Sequence, residues 1–268
     1  MPATRFMLLL LIAILATSVK AETINCTPIT SLPTVISTQG LYCLTGNLAT
    51  SQTSGIAIEI TANNVTLDLN GWKLGGQGAG TGTTAYGIYS DAVNVTVKNG
   101  IVRGFRNGIW LNGRGATVQS ITADQNTVGG IVVSGVGSVV QGNQVVDTGG
   151  STTATNVPAV GIEADSGGST VSNNVVAGLT ATGNGNEYGI YNSGANSTVR
   201  DNVVSDTAKP TGGGASYGIF QSQSIAVNNT VSNFAIGINN NGGIYAHNTA
   251  YNCTTAYSGG TAGTGNSP

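Results

Sequence analysis

Gly189-Ile190-Tyr191-Asn192-Ser193-Gly194-Ala195-Asn196-Ser197-Thr198-Val199-Arg200-Asp201-Asn202-Val203-Val204-Ser205 contains three short apolar or β-branched stretches separated by small polar residues. Ile190 to Asn192 has the length of one strand, Ser197 to Arg200 of a second, and Val203 to Ser205 of a third, with Asn202 between the last two. Each stretch is strand-sized and bounded by turn residues. Three such strands in about twenty residues form one coil of a solenoid.

Outward from this coil the pattern recurs. Gly-Ile stands at Gly55-Ile56, Gly87-Ile88, Gly108-Ile109, Gly130-Ile131, Gly161-Ile162, Gly189-Ile190, Gly218-Ile219 and Gly237-Ile238, at uneven intervals of which the shorter ones cluster near twenty. A polar marker follows each Ile at a nearly constant distance: Asn70, Asn99, Ser120, Asn143, Asn174, Asn202, Asn229 and Asn248. From marker to next Gly the spacing varies by more than a factor of two, so the length variation is confined to one segment of the repeat. Such insertions map to loops on one face. The equivalent residues of successive coils stack about 4.8 Å apart, so the asparagines can bond along the axis and the isoleucines from Ile56 to Ile238 form a core column.

Composition agrees. Of 268 residues, 41 are Gly, 28 are Asn and only 7% are charged, which excludes amphipathic helices and coiled coils. A hydrophobic content of 40% argues against disorder, and no Gly-x-y period indicates collagen.

The Gly-Ile strand starts, the asparagine column and stretches such as Ser169-Thr170-Val171-Ser172-Asn173-Asn174-Val175-Val176 resemble the right-handed parallel β-helix family, the pectin-lyase-like fold, over about residues 40–258. Asn64-Val65-Thr66-Leu67-Asp68-Leu69-Asn70-Gly71 resembles exported bacterial members. The resemblance implies an all-β, single-stranded solenoid of about eight coils with an N-terminal cap. It also implies a function among polysaccharide lyases, glycoside hydrolases, epimerases, esterases and adhesins. The sharper family motifs are missing: no Asn-Thr-Asp, Asp-Asp, Gly-His-Gly, Arg-Ile-Lys or Asp-Pro-His occurs, and no catalytic residue carries over.

Residues 1–21 have the pattern of a secretory signal peptide, with Arg5, an eleven-residue apolar run from Phe6 to Ala16, and Val19-Lys20-Ala21 at the cleavage site. Residues 22–50 are expected to cap the helix, 51–258 to form it, and 259–268 to be a flexible tail. The secreted or periplasmic location this implies permits a Cys26–Cys43 disulfide; two buried thiols are the alternative, and Cys253 has no evident partner. Seven basic groups remain against eleven acidic ones after cleavage, which leaves no footprint for nucleic acid. No later segment is apolar enough for membrane insertion.

Strand alternation places two columns outward after each inward Ile. One reads Ala57, Tyr89, Trp110, Val132, Glu163, Tyr191, Phe220 and Asn239; the next reads Glu59, Asp91, Asn112, Ser134, Asp165, Ser193, Ser222 and Asn241. Loops at about Gly75–Ala85, Gly149–Ala159, Thr180–Glu187 and Thr207–Ser216 (with Lys209) precede this face and would wall it, with Tyr86, Tyr188 and Tyr217 on the rim. A groove with flat rings and hydrogen-bonding groups suits a polysaccharide, so Tyr89, Trp110, Tyr191, Phe220 and Asp91 are the candidate substrate-binding residues. Packing of aromatics beneath the loops is the plain alternative.

Glu163 and Asp165 are the candidate catalytic pair. Two residues apart on one strand, they have Cα atoms about 6.6 Å apart on the same face, within reach of the carboxyl separations of glycosidases. Glu59 and Asp91 are a weaker pair. A lyase would need a base and, on this acidic face, Ca2+ to accept a uronate; three cysteines and a lone His247, beside the asparagine column, make no zinc signature. A threonine column, Thr66, Thr96, Thr117, Thr170 and Thr198, is broken by Val139 and Ala226. The functional expectation is a polysaccharide-binding β-helix, with cleavage of the bound chain open to its paired acids. A non-catalytic surface, adhesin or envelope scaffold protein is the alternative.

Overall fold

The structure, a computed structural model, describes residues 25–207 and 213–268. The signal-peptide segment and Lys209 lie outside the described residues.

Three rows of short parallel strands wind around one axis. Among the described residues ten strands form the first row, from Thr34–Ile36 to Thr255–Ser258. The second and third rows are joined into one eighteen-stranded sheet, because Thr96–Arg103 and Thr117–Asp124 run through both. The chain is thus a parallel β-helix. Its core has one apolar column per row. Ile58, Ile88, Ile109, Ile131, Ile162, Ile190, Ile219 and Ile238 come from the first. Val97, Val118, Val140, Val171 and Val199 come from the second, and Val102, Val145, Val176, Val204 and Val231 from the third. All are fully buried, each contributing about 1.5–3 kcal/mol.

The glycine before each core Ile from Ile88 onward has a steric cause. A Cβ on Gly161 would stand 2.4 Å from Val176 Cγ1 and 2.6 Å from the Gly189 carbonyl oxygen, and Gly130, Gly189 and Gly218 face the same obstruction. The strand also kinks here. Tyr86-Gly87-Ile88-Tyr89 has its two inner residues buried and its two tyrosines half-exposed, so residues three apart both face outward.

Register corrects the first coil. Ile58, not Ile56, is level with Ile88, and Glu59 is level with Tyr89 rather than with Asp91. Ala57 occupies the position glycine holds elsewhere, and Gly55-Ile56 matches the dipeptide two residues too early. In the threonine column the break beside Thr198 is Ile225; Ala226 faces inward beside Val199.

The asparagine ladder runs Asn143–Asn174–Asn202–Asn229–Asn248–Asn266. Each Nδ2 donates to the next Oδ1, at 3.0 Å for the first four steps and 3.2 Å for the last. The same oxygens accept the preceding ladder residue's backbone N–H. Asn70, Asn99 and Ser120 are not rungs. They hold the left-handed bend one residue earlier, at φ of 50°, 58° and 54°. Gly142, Asn173, Asp201, Asn228 and His247 occupy that bend in later coils. Ile121 stands at the ladder position and donates its N–H to Asn143 Oδ1.

Both ends differ from expectation. Thr34–Ile36, Gly40–Leu44 and Leu48–Ala49 already pair in the same rows as the later strands, so the expected cap is itself coiled. The Cys26–Cys43 disulfide ties it, with the Cα atoms 5.8 Å apart. At the other end Ile236–Asn241 pairs onward with Thr255–Ser258. Residues 259–268 continue the winding: Thr261–Ala262 pairs with Ile244 and Tyr245, and Asn266 extends the ladder. The tail has the same Gly/Asn/Thr composition as the coils, so composition alone does not separate a last turn from a flexible end. No helix among the described residues is long and apolar enough to cross a membrane.

Candidate functional site

The outward face of the first row carries two aromatic ledges. Tyr86, Tyr89 and Trp110 form one, with ring centroids 5.0 to 6.0 Å apart. Tyr188, Tyr191, Tyr217 and Phe220 form the other, with Tyr188 stacked on Tyr217 at 5.4 Å and Tyr191 on Phe220 at 5.3 Å. The kink at each glycine makes the ledges two rings deep, since it turns both tyrosines of Tyr-Gly-Ile-Tyr outward.

Between the ledges the columns carry no rings: Gly129 and Val132 on one strand, Val160 and Glu163 on the next. The resulting cleft of about 420 Å³ is lined by residues including Trp110, Val132, Glu163, Asp165, Tyr188 and Tyr191. Arg106 and Pro158 close the side where the chain enters the strands. The loops there are tied to one another. Thr182 N donates to the Val157 carbonyl and Asn184 N to Asn156 Oδ1. The earlier loop reaches across two short coils, where Thr152 N bonds the Thr81 carbonyl.

Four of the seven predicted site residues thus meet in one cleft: Glu163, Asp165, Trp110 and Tyr191. Phe220 supports it from behind Tyr191. Tyr89 and Asp91 line a separate hollow of about 250 Å³ with Glu59 and Asn63. There the Tyr89 hydroxyl donates to Asp91 Oδ1 at 2.8 Å, and Asn112 Nδ2 donates to the same oxygen at 2.7 Å. Burial and this bond to Asp91 raise the Tyr89 pKa.

The Glu163 carboxyl is pushed up to about 8, first by burial, then by the charge of Asp165 and a hydrogen bond with it. Asp165 Oδ1 also accepts from Ser193 Oγ at 3.2 Å. Glu163 therefore keeps its proton at neutral pH beside Asp165. Burial and the charge of Asp165 raise Tyr191 as well. Among the described residues no three His, Cys, Asp or Glu side chains gather as a metal site.

Sequence reasoning misses Asn107, Gly129, Pro158 and Val160. Its outward columns begin after the Ile, whereas these residues lie before it. The signal that was there to find is the column two residues ahead of each Ile: Tyr86, Asn107, Gly129, Val160, Tyr188 and Tyr217.

No family model and no curated protein sequence matches the chain. Solved structures do match it in fold. The Dettilon tailspike protein aligns with TM-score 0.57 at 16% identity, over 84% of this chain and 54% of the tailspike. The chain thus spans about half that protein's length. A mannuronan C-5 epimerase A-module from Azotobacter vinelandii aligns with TM-score 0.54 at 12% identity, over 84% of this chain and 80% of the module. A pectate lyase aligns with TM-score 0.51 at 12% identity, over 89% of this chain and 67% of the lyase. With the parallel rows described above, these likenesses establish the fold as a right-handed parallel β-helix.

Proposed function

We propose that this is an exported protein that binds an extracellular polysaccharide on the first-row face, with the cleft as its central subsite. The observation that carries the reading is the position of Glu163 and Asp165 between two aromatic ledges. Sugar rings stack on aromatic faces through their C–H surfaces, while their hydroxyls need hydrogen-bonding groups between the stacking platforms. The cleft supplies both. Export is supported by the signal-like pattern of residues 1–21 and by the Cys26–Cys43 disulfide, which persists in oxidising compartments.

Glu163 holds its proton near neutral pH and has the protonation state of a general acid. In a cleaving protein it would protonate the glycosidic oxygen as the C–O bond breaks, and a water adding to the anomeric carbon would return a proton to the pair. Uronate substrates would need Ca2+ or further basic groups beside Arg106.

The test is incubation of the full chain with neutral and acidic polysaccharides, with and without Ca2+, followed by pull-down and reducing-end assay. Binding that Trp110→Ala abolishes is the expected result. Absence of binding to every polysaccharide overturns the proposal. Reducing ends that disappear in Glu163→Gln would add cleavage to it.

A further inference from the structure

The rings of the first-row face are spaced by the strand register. One outward column runs Tyr89, Trp110, Val132, Glu163, Tyr191 and Phe220, each level with the next on the adjacent strand. Rings stand on the first two of these strands and on the last two, and the two between carry none. The column three residues earlier repeats the pattern, with Tyr86 before the gap and Tyr188 and Tyr217 after it. All seven rings are half-exposed. Neighbouring parallel strands lie about 4.8 Å apart, so the backbones at Trp110 and Tyr191, three spacings apart, are separated by about 14 Å along the axis.

Both ledges belong to one cleft, since Tyr86 and Trp110 line it from one side of the gap and Tyr188 and Tyr191 from the other. Its flank is walled where the loops enter: Pro158 lines the cleft, and its neighbour Val157 is tied to the next loop by the bond from Thr182 N. A polymer crossing the strands would meet this wall. Along the axis the column continues instead with shorter side chains, Asn239 and Ser258 beyond Phe220, and with Glu59 beyond Tyr89.

We infer that this face takes a linear, extended glycan laid parallel to the solenoid axis, about one sugar unit per coil, and grips an internal segment of it at both ledges. A pyranose unit in an extended chain is about as long as one coil is high, so units and strands advance in step. With one unit against Trp110, the unit that reaches Tyr191 is about the fourth, and the two between pass over the ringless strands, where Glu163 and Asp165 meet their hydroxyls. A disaccharide or a compact branched sugar would touch one ledge at a time. This inference rests on the polysaccharide reading and adds to it the direction and least length of the bound segment.

Calorimetric titration of the full chain with size-fractionated oligomers of cellulose, mannan, chitin and polygalacturonate, two to eight units long, tests it. For the series that binds, affinity should rise at least tenfold between about three and four units. The Tyr188→Ala, Tyr191→Ala double variant, its fold checked by circular dichroism, should lose that step and bind the four-unit oligomer no tighter than the three-unit one. A second measurement needs no variant: eight-unit oligomers carrying a bulky label at either end should keep their affinity within about threefold, because the ends project beyond the ledges. An affinity that does not change with length, a step that survives in the double variant, or loss of binding on end-labelling each overturns the inference and leaves the polysaccharide reading standing. Binding neither to any oligomer nor to the parent polymers removes both.

Discussion

Glu163 shows how burial of one side chain becomes a pH dependence. Its carboxyl would ionise near 4.5 in an unfolded chain but holds its proton to about 8 in the folded one. Between these values the folded state binds more protons than the unfolded state, so stability falls as pH rises. Below about 4.5 the penalty is absent, and above about 8 it is complete. Glu163→Gln should flatten this slope and stabilise the protein by about 1–2 kcal/mol at pH 9, a figure discounted for partial exposure. Thermal melts of both forms from pH 4 to pH 9 check it; parallel curves would refute the burial argument. If the protein cleaves its ligand with Glu163 as the acid, its rate should decline as pH rises through about 8. Asn202 is the complementary case, a neutral side chain that satisfies itself entirely. Its Nδ2 donates to Val171 O and Asn229 Oδ1, and its Oδ1 accepts from Asn174. Asn202→Ala should cost about 2–4 kcal/mol, measurable by urea unfolding, because it strands neighbours on both sides.

At the scale of the strand, the Gly-Ile start is the most constrained feature. Gly161→Ala drives a methyl into Val176 Cγ1 and the Gly189 carbonyl, and should destabilise by about 1–3 kcal/mol. Adding Val176→Ala should recover part of the loss, since it removes one of the two obstructions; no recovery would place the conflict wholly at the carbonyl. The same feature shows what is legible without the structure. Repetition of Gly-Ile and Asn identifies the coil, the rows and the core, because each is a period that sequence displays directly. Ile56 and Ile58 are interchangeable by residue type, and only pairing with Ile88 tells them apart. Asn70, Asn99 and Ser120 read as rungs because asparagine serves both the left-handed bend and the ladder, and one residue of offset separates the two roles. The Glu163/Asp165 pair is visible from alternation. The cleft is not, because it depends on small residues at Gly129, Val132 and Val160 lying between bulky ones three coils apart in space.

For the whole molecule, the described stack has two ends, and the first is anchored covalently. Reduction of Cys26–Cys43, 17 residues apart, should lower stability by about 3 kcal/mol and loosen the first coil before the rest. Amide exchange with and without reductant would show this as protection lost at Gly40–Leu44 while Ile131 and Ile162 stay protected; uniform loss would mean the stack opens as one unit. The loop wall has a related logic. All its insertions enter before the first row, so loop length can vary without altering the register of any strand.

Apart from the Thr152–Thr81 loop bond, each coil among the described residues touches chiefly the coil above and the coil below, so the coil of Trp110 is held to that of Tyr191 mainly through the coils between them. A ligand lying across Trp110, Glu163 and Tyr191 would span these coils directly. It would act as an external splint, converting a stack that can fray from its ends into a segment that opens only as a block. Occupancy would then register as a rise in unfolding cooperativity confined to the coils it crosses, with the outer turns as loose as before.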